Sequence, residues 1–254
     1  MFDLITPEGL ATAVAVTLLG GFVKGAVGFA MPMSMVSGLA SFLPAEVALA
    51  ALIFPTLVSN LQQTFREGVA PAVDAAKDFW RYLIIVLVVI ALAAQLVAIL
   101  PQHILLLCLG VPITVLAALQ LVGWRPRVPP EARARADVGV GVASGIMGGL
   151  SGVWGPTTVL YLAALGTPKS VSVKVQGVVY SAGAIVLTLA HLRSGVLNDA
   201  TIPLSAVRGV PAVLAMWVGV QVQDRLDQAR FQRWTLVVLV VAGLNLVRRG
   251  LTGF

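Results

Sequence analysis

Two stretches of this chain, residues 82–100 and 104–124, contain no ionised side chain. Each reaches the roughly 20 residues that a helix needs to cross about 30 Å of hydrocarbon. Backbone groups in lipid must find their partners within the segment or in a closed barrel. No alternating strand pattern appears, so the spans are read as helices. Of 254 residues, 58% are hydrophobic and 11% charged, against about 25% charged in soluble domains. Too few polar residues remain to cover a water-facing surface. The fold class is therefore an all-α polytopic membrane protein.

The net charge of +6 comes from basic residues spread among short loops. That spread is the signature of cytoplasmic loops rather than of a nucleic-acid face, and no nucleic-acid partner is expected. Cys108 stands alone in an apolar run, which excludes an intrachain disulfide or a cysteine metal cluster and leaves it as a small hydrophobe. The start, Met1-Phe2-Asp3, lacks the positive region of a cleavable signal peptide, so the first apolar segment is expected to persist in the mature chain. No H-E-x-x-H, P-loop lysine or intramembrane pair of acids is present, and neither an enzyme nor a cofactor is expected. Asp74, Asp78, Glu131, Asp137, Asp199, Asp224 and Asp227 are assigned to loops. Glu46, near a helix start, is the acid placed closest to a chain break and is considered for a coupling proton.

The chain is written twice. Gly25-Ala-Val-Gly28-Phe-Ala-Met-Pro32 returns as Gly149-Leu-Ser-Gly152-Val-Trp-Gly-Pro156, 124 residues later. Gly21 meets Gly145 and Pro44 meets Pro168 at the same offset, and Arg66-Glu-Gly68 meets Arg193-Ser-Gly195 after a slip of three. Repeats of this kind are read before any local element. The expected organisation is a first membrane repeat over 1–122, a Pro- and Arg-rich cytoplasmic linker over 123–137, and a second membrane repeat over 138–254. Each repeat holds four hydrophobic segments.

The first element of each copy is too long for one crossing. Residues 8–42 are nearly all apolar, and as one helix they would measure roughly 50 Å. Glycines and Pro32 fall near the middle, where a helix breaks; Pro156 does the same within 138–165. Each element is read as two half-helices, either a broken span or a hairpin that turns back. If both span, the basic residues divide ten to five. If both turn back, the second copy is inverted, and the division is twelve to three, with Arg193, Arg248 and Arg249 alone on the minor side. The positive-inside rule favours the inverted arrangement, with the linker cytoplasmic and both termini outside.

Paired breaks at matching places in two repeats point to a transporter's binding site. A half-helix starting at a proline loses nothing by the missing N–H, and its free N–H groups and positive dipole end favour an anion. Glycine lets backbone approach a ligand closely. Candidate substrate-binding residues at the breaks are Lys24, Gly25, Gly28, Pro32 and Ser34 in copy one, and Gly149, Gly152, Pro156 and Thr157 in copy two, with Ser151 and Thr158 as further hydroxyls. Lys24 is singled out because a cation in the membrane is expensive and so functional by default; the competing reading is a lysine snorkelling to the interface. The next helix of each copy adds Asn60 and Gln63, which share a face by their i, i+3 spacing, and Gln176, Tyr180 and Ser181. For the glycines the competing reading is small-xxx-small helix packing, and for the amides and hydroxyls it is interhelical hydrogen bonding. Gln95, Gln120, Asn245 and Arg208 are weaker candidates, and His103 and His191 are read as structural.

The patterns Gly21-Phe-Val-Lys24-Gly25-x-x-Gly28-x-x-x-Pro32 and Gly145-x-x-Gly148-Gly149-x-x-Gly152-x-x-x-Pro156 resemble the TauE/SafE sulfite exporters, also called toluenesulfonate uptake permeases. The resemblance covers essentially the whole chain. It implies a transporter of small sulfur-containing anions, such as sulfite, thiosulfate or organosulfonates, in the bacterial inner membrane. Expected partners are the anion, the lipid bilayer, a coupling proton or sodium ion, and a second copy in a homodimer. Two other classes remain open: a passive anion channel, and a membrane scaffold without transport.

Overall fold

The computed structural model describes residues 7–252 apart from 40, 41, 99, 125, 126 and 226. Among these residues the chain is helical with no strand. The first copy runs through α1 (Pro7–Val27), α2 (Met31–Leu39), α3 (Ala45–Phe65), α4 (Val69–Asp78), α5 (Trp80–Ala93), extended by a 3-10 turn over Ala94–Ala98, and α6 (Gln102–Leu121). The second runs through α7 (Arg133–Ser151), α8 (Gly155–Ala164), α9 (Lys169–Ser194), α10 (Thr201–Val207), α11 (Gly209–Arg225) and α12 (Gln228–Thr252). Four stretches are long and apolar enough to cross a membrane: Gly9–Val27, Glu46–Phe65, Lys169–Ser194 and Thr201–Arg225. The pair α4 and α5, bent by 86°, makes a fifth if counted as one span.

Burial is inside-out relative to a water-soluble protein. Leu92, Leu189, Val210 and Leu214 are exposed, while Lys24, Thr56, Asn60 and Arg208 are buried. That distribution suits a lipid surround, where an outward leucine costs nothing and a polar group must face protein. Cys108 is among the outward-facing residues.

Both breaks turn the chain back. Gly28 and Gly152 take φ of +87° and +71°, a left-handed conformation that a Cβ disfavours. Each donates its N–H four residues back, to Lys24 O and Gly148 O, at 2.7 Å. The next helix starts three residues later, with proline second in both, as Pro32 and Pro156. Gly20 then faces Met31 and Met35, while Gly38 faces Val16, so α2 runs antiparallel to α1. In α7 and α8, Ser144 meets Thr157 and Asp137 meets Tyr161, the same hairpin. The returning arms are short, 9 and 10 residues, but the first arms are not half-helices: they hold 21 and 19 residues.

The remaining packing pairs one copy with the other. Gly21 and Gly25 lie on Ala212 and Met216 of α11, and Gly141, Gly145 and Gly149 lie on Ile85, Val89 and Ala93 of α5. In both pairs the helices run parallel. A Cβ on Gly25 would collide with the Met216 carbonyl and stand 2.8 Å from Val220 N, so this packing needs glycine as small-xxx-small contacts do. The pairs α3 with α9 and α6 with α12 run antiparallel, through Asn60 to Tyr180 and Gln63 to Val173, and through Gly110 to Val247 and Gly243 to Thr114.

Several acids are not in loops as the sequence reading had them. Asp137 lies in the second turn of α7, is 4% exposed and accepts a hydrogen bond from Tyr161. A helix start at Arg133, inside the stretch read as linker, carries it inward. Asp74 and Asp78 are on α4, and Asp224 is in the last turn of α11.

Candidate functional site

Lys24 occupies the last turn of α1 and is 1% exposed. Its ammonium donates to Ser59 Oγ at 2.9 Å and to Asn60 Oδ1. Among the described residues it has no carboxylate partner. Ammonium carries three donors, so one N–H remains for a ligand. The snorkelling alternative does not describe this side chain, which points inward to α3. Asn60 is fixed from its other end, where Nδ2 donates to Tyr180 O at 2.9 Å. Tyr180 OH donates to Gly155 O at 3.2 Å, tying α9 to the start of α8. One chain of hydrogen bonds thus links the two breaks through α3 and α9.

These groups surround a small cavity of about 20 Å³, lined by Lys24, Pro32, Asn60, Gly152, Pro156 and Tyr180 together with Phe29, Met33, Trp154 and Gly155. It has room for about one water. First-turn residues of both short helices, Pro32 and Met33 of α2 and Gly155 and Pro156 of α8, form its wall. First-turn N–H groups have no partner within their own helix, and the two positive helix ends face the same small volume as Lys24.

The residues named from sequence divide into three groups. Lys24, Pro32, Asn60, Gly152, Pro156 and Tyr180 meet at this cavity. Lys24, Gly25, Gly28 and Gln63 line a second, larger cavity of about 410 Å³ on the side of Arg66 and Asp224. Gln176 belongs at its edge, since a Cβ on Gly28 would lie 3.3 Å from Gln176 Oε1. The others line neither cavity. Gly149 packs on Ala93. Thr157 accepts from Ser144 at 2.6 Å, in a hydroxyl cluster with Tyr82 and Thr158. Ser181 pairs with Thr64 at 2.6 Å, and Ser34 remains on α2. Gly149, Thr157 and Ser181 are occupied in holding helices together, the alternative weighed for them above. The side chain of Ser151 lies outside the described ones.

Among the weaker candidates, Gln95 and Gln120 turn to carbonyls of their own helices. Arg208 is fully buried at the bend between α10 and α11, not snorkelling, and lines neither cavity. Sequence reasoning missed Trp154, Phe29 and Met33, because apolar residues in an apolar chain carry no signal. It also missed Gln62 and Gln223. Gln223 adjoins Asp224, which the sequence reading assigns to a loop, but α11 continues through both and turns Gln223 inward, 4% exposed.

The two copies are not equivalent at the site. At the offset of 124, Gly148 stands where copy one has Lys24, and the Trp154 ring covers it, 2.6 Å from where its Cβ would be. The charge is therefore one-sided, with an indole on the opposite wall.

A family model described as "Sulfite exporter TauE/SafE" matches residues 13–246. The chain belongs to the TauE/SafE sulfite exporter family. Both glycine-proline breaks, the linker and all the cavity residues fall within the match. A search of curated proteins and a search of solved structures each gave no match. Family membership and the apolar helices together make this a membrane protein of a transporter family.

Proposed function

We propose that the chain is a multi-pass secondary transporter of the bacterial inner membrane that moves a small sulfur-containing anion, sulfite, thiosulfate or an organosulfonate. The observation that carries this reading is that both breaks wall one cavity in which the sole ammonium has only neutral partners. A buried cation with no carboxylate is costly unless an anion meets it. Helix N-termini then supply backbone donors aimed at the oxygens. The binding set comprises Lys24, Asn60, Tyr180 and the first turns of α2 and α8, with Gly28 and Gly152 making the turns. At about 20 Å³ the cavity is too small for a sulfur oxyanion, so loading requires the hairpins to part.

Two inverted repeats, 1–122 and 138–254 about the linker over 123–137, account for the packing. If a two-fold axis relates the copies, α1 with α11 and α7 with α5 are the same contact seen twice. The self-paired helices, α3 with α9 and α6 with α12, run antiparallel, which requires an axis across the helices and hence in the membrane plane. That is the symmetry of many secondary transporters, whose sites lie between the repeats. Rocking of one hairpin against the other would expose the site alternately to each side, with a proton or sodium ion as driving partner.

The test is flux in proteoliposomes. With sulfite on one side and an imposed proton or sodium gradient, internal sulfite should rise above the external concentration. Equilibration without accumulation under every gradient would support the passive channel, and absence of both flux and binding would support the scaffold.

A further inference from the structure

The larger cavity opens beside the ends of α3 and α11 and reaches Lys24 from the side of Arg66 and Asp224. Between the charged groups Lys24, Arg66 and Asp224 its wall carries the amides of Gln63 and Gln223, with Gln176 at its edge. Gln63, Gln176 and Gln223, from three different helices, are 7%, 5% and 4% exposed. Each carries an amide atom with no hydrogen-bond partner among the described residues: Gln63 Oε1, Gln176 Oε1 and Gln223 Nε2. Buried amide atoms without partners are rare in native proteins and call for an explanation. Two of them meet at one point, since a Cβ on Gly28 would lie 3.3 Å from Gln176 Oε1 and 3.7 Å from Gln223 Nε2. Gln63 is anchored by its own Nε2, which donates to Val173 O at 3.3 Å, so its oxygen is the free end. At the mouth Arg66 holds Asp224 at 2.8 Å, with the two side chains 41% and 58% exposed. An ion pair so exposed is weak and yields to a competing anion.

We propose that this cavity is a second anion station, distinct from the small cavity, in which a partly hydrated sulfur oxyanion waits between Arg66 and Lys24. The proposal rests on the transporter reading above and adds Gln223 and Arg66 as substrate-contacting residues. Gln223 donates to the anion, the oxygens of Gln63 and Gln176 accept from the waters that travel with it, and Arg66 exchanges Asp224 for an oxyanion that its planar fork suits. Neutral amides replace hydration without holding a charge tightly, which lets the ion move on to Lys24. At about 410 Å³ the space admits the ion with water, as the small cavity of about 20 Å³ does not.

The two stations carry separate reporters, Trp217 on the larger cavity and Trp154 on the small one. Sulfite is titrated into purified protein while tryptophan emission is followed in the parent and in Trp217→Phe and Trp154→Phe variants. The chain has five tryptophans, so each signal is read as the parent minus the variant, and the parent minus Trp217→Phe alone still reads the larger cavity if Trp154→Phe does not fold. The Trp217 response should persist in Gly152→Val, weaken by about fivefold in Gln223→Ala, the worth of one hydrogen bond, and strengthen in Asp224→Asn, which removes the rival carboxylate. A Trp154 response with no independent Trp217 response, or a Trp217 response indifferent to Gln223→Ala and Asp224→Asn, overturns the second station and leaves the transporter reading standing. Silence from both tryptophans overturns both.

Discussion

At the scale of single residues, Lys24 joins sequence to function most directly. Its ammonium reaches two neutral oxygens on α3, and both cavities touch it. A cation and an anion 4 Å apart attract by about 1–4 kcal/mol between water and a partly desolvated site. Lys24→Gln should therefore weaken sulfite binding by about tenfold or more, with dianions losing more than monoanions. Thermal stability should not fall, since the variant removes a buried charge while keeping an amide donor for Asn60. Binding isotherms and melting curves on the same preparations check both halves. Affinity within about twofold of the parent for every anion would leave binding to backbone and neutral donors alone. That a lysine stood among the glycines was readable from the chain. Its inward direction was not, because a four-carbon stem can reach an interface or a helix neighbour equally well.

At the scale of elements, glycines with one motif do two different jobs. Gly28 and Gly152 hold left-handed turns, where a Cβ would meet only the ends of flexible side chains, Gln176 at 3.3 Å and Leu187 at 3.4 Å. Gly25 presses against the α11 backbone, where there is no space to yield. A β-branched side chain at positive φ costs of order 1–3 kcal/mol and shifts the start of the following helix. Gly28→Val and Gly152→Val should give folded, monodisperse protein with sulfite flux lost, as read by size-exclusion chromatography and proteoliposome uptake. Gly25→Val should instead lose folded protein, because α1 and α11 cannot separate without exposing backbone to lipid. If all three fold and transport normally, the turns have no part in function. The spacing of glycine and proline was enough to locate both breaks to within a few residues. Whether the chain then continued or returned depended on α2 and α8 finding α1 and α7 to lie against, a contact between segments that no local pattern records. The inward turn of Gln223 was hidden for the same reason: a polar residue near a helix end reads as loop until its neighbours are known.

For the whole molecule, the inverted arrangement proposed above assigns the described basic residues to two sides. Arg66 and Asp224 pair at one end of the helices, Lys174 joins Glu67 there, and Arg133 reaches Asp78 O at 2.8 Å beside the linker. Arg193 and Arg248 sit at helix ends that the antiparallel packing puts on the opposite side. With Cys108 replaced by Ala, a membrane-impermeant thiol reagent applied to intact spheroplasts should label Asp199→Cys and should reach Arg127→Cys only after lysis. Both positions reached only after lysis, and so on the same cytoplasmic side, would return the parallel, eight-crossing arrangement. Hydropathy and a twice-written motif by themselves determined apolar membrane helices and the two places where the chain breaks, because each of these is a property of neighbours along the chain and of their solvent. Only the tertiary structure decided that both breaks fold back, that Lys24 rather than Ser34 or Thr157 meets the cavity, and that an indole stands opposite the lysine in the other copy. Those outcomes are set by contacts between segments, such as Gly20 with Met31, Lys24 with Asn60 and Asn60 with Tyr180, where packing space and hydrogen-bond partners select among arrangements that the local sequence permits equally.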